Sequence, residues 1–162
     1  MIEPDARGTG GTLRTRAAAA PVWRYLLGGV VAAVAAVATN LAWRGAYAAS
    51  SGQPLPDAVS EPAVTVATAS AVLLAAAVYL LLSRALTIAT PLYMLGCVLA
   101  AGVSCIAPFA PFMPDGAPPP PDFPQLAVPM HVAAGLLAAS IVPLVVLFGV
   151  KKPRQAGADD QY

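Results

Sequence analysis

Charge is what this chain has least of. Nine basic and eight acidic side chains make up 10% of its 162 residues, where a soluble domain carries about 25%. No acid falls inside a long apolar run, histidine occurs once (His131), and cysteine twice (Cys97 and Cys105). Each scarcity removes a class of function. A net charge of +1 leaves no concentrated basic surface for nucleic acid. A metal centre needs about three or four ligands, and His131 has no second histidine, no intramembrane carboxylate and no cysteine pair beside it. Bis-histidine haem is impossible within one chain, and Met94 lies at the wrong depth to pair with His131. Neither metal nor cofactor is therefore expected.

The cysteines are eight residues apart in one apolar run. On a helix that is about 12 Å of rise, beyond the roughly 7 Å between disulfide-linked Cα atoms. With no CxxC, thiol oxidoreductase chemistry has no support. The GTGGT run at residues 8–12 lacks both a following Lys-Ser/Thr and a preceding strand, so it is not a phosphate loop. No nucleophile–base pair and no carboxylate pair is visible, and the chain is not expected to be an enzyme.

Long hydrophobic runs are abundant, with 58% of residues hydrophobic. Four runs, at about 22–47, 62–82, 86–107 and 126–150, approach or exceed the roughly 20 residues that span a bilayer. The first is bracketed by Trp23, Arg24 and Tyr25 at one end and Trp43, Arg44 and Tyr47 at the other. Such side chains anchor at membrane interfaces because their rings have one apolar and one wet end. Its apolar body is 18 residues long, too long for a cleaved leader. The second run opens on Pro62 with Ser60 placed as N-cap. Small and hydroxylated residues in its first half (Ala63, Thr65, Ala67, Thr68, Ala69, Ser70) predict a close neighbour there. In the third, either Thr90 caps a helix beginning at Pro91, or Pro91 kinks one beginning near Arg84. Gly96, Ala100, Ala101 and Gly102 offer that helix a close-packing face. In the fourth, Pro129 falls in the first turn. Pro143 frees the carbonyl of Ala139 and bends the helix, with Ser140 able to bond a backbone group nearby.

The prediction is an all-α integral membrane protein, an antiparallel four-helix bundle spanning 22–150. Residues 1–21 and 151–162 would be tails, the first disordered. Loop 48–61 is polar. Loop 108–125 holds eight of the 17 prolines and should be extended polyproline II, its Phe109, Phe112, Met113 and Phe123 lying on the membrane surface. The tails and the helix 2–3 turn contain eight of the nine basic residues, and the other two loops only Arg44. The positive-inside rule then puts both termini in the cytoplasm of a bacterial inner membrane and both loops outside.

With that orientation, Asn40, Arg44, Thr68, Ser104 and His131 all fall in the outer third of the bilayer. Polar groups in lipid prefer the bundle interior, so these five, joined by Glu61, are expected to cluster. Interhelical hydrogen bonding is the primary role expected for them, with His131 a neutral partner. A lipid, quinone or small-ligand pocket opening to the outer face is the alternative, and ion or proton movement the remaining one. The expected function is that of a structural or accessory component working with lipid, another membrane protein or a homo-oligomeric copy. The alternative is a small-ligand or lipid carrier or transporter built on the polar cluster.

The helix-4 text Leu126-Ala-Val-Pro-Met-His131-Val-Ala-Ala, with Ile141-Val-Pro143-Leu beyond it, resembles a family of small four-helix actinobacterial membrane proteins classed as a domain of unknown function. That resemblance implies the same four-span layout and assigns no activity.

Overall fold

A computed structural model describes residues 20–52, 54–110, 118–120 and 122–148. Among them are four long helices and no strand: α1 (Val22–Ser51), α2 (Glu61–Ala85), α3 (Ala89–Ser104) and α4 (Phe123–Leu147). Short 3₁₀ turns occupy Asp57–Val59 and Ala107–Phe109. With the turn behind it, α3 forms a helical stretch of 21 residues, so all four are long and apolar enough to cross a membrane. The expectations for both tails and for residues 111–117 and 121 of the proline-rich loop lie outside the described residues. The rest of that loop corrects the extended form expected, since Pro108 and Phe109 belong to a 3₁₀ turn and Phe123 to Gln125 to α4, and Phe123 packs against the core at that end and not on the membrane surface.

Local chemistry explains where the helices start and stop. The first runs a turn past Tyr47 and closes at Gly52, whose φ of 62° suits a residue without a β-carbon and whose N–H bonds the Ala48 carbonyl. Pro62 stands in the first turn of α2 as expected, but Ser60 makes no side-chain cap bond. Because α3 begins at Ala89, Pro91 sits in its first turn and kinks nothing. Thr90 is not its cap; the Thr90 hydroxyl pairs with that of Tyr79 at 2.8 Å. Pro124 opens α4 from its first turn, which places Pro129 in the helix interior with Pro143. Near each interior proline a neighbouring helix supplies a donor. Trp43 Nε1 donates to the Leu126 carbonyl at 3.1 Å, and Tyr93 Oη donates to Ala138 at 3.0 Å. Ser140 bonds a backbone group nearby as expected, the Leu136 carbonyl, at 2.7 Å.

The helices α2 and α4 flank α1, α3 leans on α4, and α2 meets α3 more thinly. Contacts run in opposite directions along each pair. Gly29 meets Ala76 while Asn40 meets Thr68, and Arg24 reaches the Val146 carbonyl while Trp43 reaches Leu126. Two ends of the bundle can thus be told apart: a loop end, carrying the α1–α2 and α3–α4 links, and a tail end. Towards the tail end the core is built on Tyr25, Tyr79 and Tyr93, their rings 5.5 and 4.6 Å apart, with Val72, Val142 and Val146. At the loop end a smaller group joins Val59, Val64, Leu126 and Met130.

Of two expectations about packing, one is extended and one corrected. The first half of α2 faces a neighbour through Val64 and Thr68, and the buried stripe continues through Val72, Ala76 and Tyr79 along its whole length. On α3, Gly96 and Gly102 face open space, whereas Cys97 and Ala101 meet Gly135 of α4, where an added β-carbon would overlap that of Ala101. Most large side chains of α3, including Leu95, Leu99 and Val103, are exposed.

So few anchors hold α3 that each should be measurable. Tyr93→Phe removes a buried hydroxyl and its bond to Ala138, and a loss of about 1 kcal/mol is expected. Denaturant titration in mixed micelles, with wild type alongside, reads it.

Candidate functional site

The site begins at Asn40, on the α1 face turned to α2. Its side chain is buried, at 2% exposure. Its Nδ2 donates to Thr68 Oγ1 at 3.0 Å, and its Oδ1 has no partner among the described residues. Turning the amide over leaves the same balance, because the Thr68 hydroxyl can donate or accept. One end of the amide meets Thr68 and the other meets nothing. A buried polar group left without a partner costs about 1–3 kcal/mol.

Other polar side chains in the helices have a local escape. Thr39 bonds the Ala35 carbonyl at 2.8 Å, Thr65 bonds Glu61 at 2.8 Å, and Ser70 bonds Val66 at 2.6 Å. Short hydroxyls can reach back a turn to their own helix. The oxygen of Asn40 cannot do the same, since it needs a donor and the helix N–H groups are already used.

Asn40 lines a cleft of about 580 Å³, within the size range of small-molecule sites. One wall is α2, through Val64, Ala67, Thr68 and Ala71, and the other is α4, through Ala127, Met130, His131 and Ala134. Val59, Pro108, Ala110 and Pro119 close it towards the loop end. No residue of α3 proper lines it, so among the described residues its fourth side, between α2 and α3, is left uncovered. The cause is visible in the contacts. Both helices leave a shared turn held by Tyr79, Thr90 and Tyr93, after which α3 follows α4 through Gly135 and Val128. His131 is half-buried in the α4 wall and makes no hydrogen bond among the described residues.

Of the residues expected together, the structure brings Asn40, Thr68 and His131 to this cleft. Arg44 stands one turn nearer the loop end and does not line it. Its Nε donates to the Val59 carbonyl at 2.6 Å and its guanidinium meets Glu61 at 3.2 Å. The Glu61 side chain is 71% exposed, so the ion pair contributes little. The bond to Val59 does more, because it pins the turn that roofs the cleft. Ser104 is not brought in; its hydroxyl bonds the Ala101 carbonyl at 2.8 Å.

No family model, curated protein or solved structure matches this chain.

The chemistry must therefore be read from the cleft. No charged side chain among the described residues lines it, and no group of three metal-ligating side chains occurs among them. What it offers is an apolar trough with three polar side chains, two of which have bonding capacity to spare. Sequence reasoning held a pocket only as its alternative and did not find the walls of the trough. Its signal was the small residues Ala67, Ala71, Ala127 and Ala134 beside the polar ones, which here leave room instead of bringing backbones together.

Proposed function

We propose that this chain is a non-enzymatic, multi-pass protein of a bacterial cell membrane that holds a small amphiphilic ligand in the cleft between α2 and α4. The observation carrying this reading is the half-satisfied amide of Asn40, buried in the wall of a cleft large enough for a ligand. A side chain serving only to join helices would have both ends bonded, since an unmet buried polar group lowers stability. The orientation proposed keeps the tails in the cytoplasm. Arg24 and Arg84 sit at the tail end and only Arg44 at the loop end, and the sequence adds Arg7, Arg14, Arg16, Lys151, Lys152 and Arg154 in the tails, the bias the positive-inside rule favours. The cleft then opens into the outer leaflet. Kinship with the actinobacterial four-helix family, proposed on the helix-4 text, fits this layout and is silent on the ligand.

A second reading, an accessory subunit, is favoured by the exposed apolar face of α3, which would suit a helix of another membrane protein or a second copy. One experiment separates the two. Ala71 is exposed and lines the cleft, so Ala71→Phe fills the trough without touching the core. Wild type and variant are extracted from their own membrane into polymer-bounded discs, and bound small molecules are identified by mass spectrometry. Ligand binding predicts a compound enriched with wild type over bulk lipid and lost, by tenfold or more, in Ala71→Phe. Identical profiles would leave the accessory reading in place.

A further inference from the structure

The polar inventory of the cleft constrains its ligand more narrowly than size does. Resting on the reading that the cleft is a ligand site, we infer that it takes a neutral amphiphile with a hydroxyl head, entering sideways from the outer leaflet between α2 and α3.

Three observations converge on this. The first concerns charge. The nearest cation, Arg44, is held by Val59 and Glu61, and no charged side chain among the described residues faces the trough. A phosphate, sulfate or ammonium head placed there would be desolvated with no counter-charge to offset the loss.

The second concerns hydrogen bonding. Asn40 has one free amide end, and neutral His131 offers an N–H and a lone pair with no partner among the described residues. A ligand hydroxyl both donates and accepts, so it satisfies the free end of Asn40 whichever way the amide is turned. Its second bonding capacity remains for the imidazole. A carbonyl or ether oxygen only accepts, so it can take an N–H of Asn40 or His131 but gives nothing to the oxygen of the one or the lone pair of the other.

The third concerns the path. Val59, Pro108, Ala110 and Pro119 line the trough at the loop end, while among the described residues its α2–α3 side is uncovered and flanked by apolar residues. Asn40 lies one turn, about 6 Å, deeper than Arg44. A head bonded there sits just below the polar boundary. The trough continues past it to Ala71 on α2 and Ala134 on α4, and both are small enough to leave space for a chain. From Phe123 to Ala134 it follows α4 for about 16 Å.

The test uses one fluorescent polyene chain carrying three different heads: the alcohol, its methyl ether and its sulfate ester. Each is titrated into full-length protein in lipid discs, and energy transfer from tryptophan to the polyene is read. Ala71→Phe discs supply the background of partition into lipid. The alcohol is expected to bind above that background at least tenfold more tightly than the ether or the sulfate, and Asn40→Leu should weaken it about tenfold. If the sulfate or the ether binds as tightly as the alcohol and is lost in Ala71→Phe, the inference fails and the cleft stands as a site for another class. Alcohol binding unchanged by Asn40→Leu also overturns it. If no probe exceeds the Ala71→Phe background, the inference fails, and whether the ligand-site reading survives is decided by the copurification experiment.

Discussion

Gly135→Ala will loosen α3 from the bundle, and adding Ala101→Gly will restore it. A β-carbon at 135 would overlap the β-carbon of Ala101, and neither atom has a rotamer through which to escape. The backbones must separate, and overpacking of this kind costs about 1–3 kcal/mol. Alanine regains up to about 1 kcal/mol in helix propensity over glycine, so the net loss should be about 1–2 kcal/mol. The swap removes the overlap. What then remains near the new β-carbon is the Cys97 carbonyl at 3.4 Å and the Ala101 Cα at 3.6 Å, ordinary contacts. Propensity cancels as well, since one glycine is lost and one gained. The double variant should lie within about 0.5 kcal/mol of wild type in mixed-micelle unfolding, against additivity as the alternative. Additive losses would mean that α3 is held elsewhere. The effect should be local, because α3 carries few buried side chains, only Ala89 and Tyr93 in the helix proper.

This contact shows where sequence reading ends. Length and apolarity were enough to find four helices, since spanning segments must be long and uncharged. The choice among glycines was not open to the same reasoning. Gly96 and Gly102 of α3 looked like a packing face, yet the close approaches fall at Gly28, against the Val142 backbone, at Gly29, whose added β-carbon would lie 2.8 Å from Ala76, and at Gly135. A helix apolar on every side carries no moment to say which face is inward, so its rotation is set by its partners. Helix ends were misplaced for a related reason. The alanines and serines after Tyr47 are indifferent between helix and loop, and Gly52 ends α1 only through its φ of 62°.

For the site, counting residues from the helix ends was enough to put Asn40, Thr68 and His131 at one level, because rise per residue is nearly constant. Side-chain direction was the missing quantity. Ser104 shares that level but bonds back to Ala101, and Arg44 turns to Val59. The trough depends on α2 and α3 diverging from the turn at Tyr79 and Thr90, a property of three helices together that no single stretch of sequence contains.

Asn40→Leu will stabilise the empty protein while weakening its hold on ligand. If Asn40 is there to join α1 to α2, its replacement should destabilise; interhelical hydrogen bonds in membrane proteins average about 0.6 kcal/mol. Here the single bond to Thr68 is set against an amide end that is buried and unmet. Leucine removes that penalty of about 1–3 kcal/mol and adds apolar contact in a site of similar size. Thr68 is not stranded by the change. Its hydroxyl can turn to the carbonyl one turn back, as Thr39 and Thr65 do at 2.8 Å. A net gain of about 1 kcal/mol is expected, read as a higher unfolding midpoint in lipid-free detergent. Thr68→Val should act in the opposite direction, because it leaves both ends of Asn40 without a partner, and should cost about 1–2 kcal/mol. Opposite signs from the two partners of one hydrogen bond would mark Asn40 as a residue kept at the expense of stability, the usual mark of a binding position. Equal losses from both would show that the bond is simply a fastening between α1 and α2.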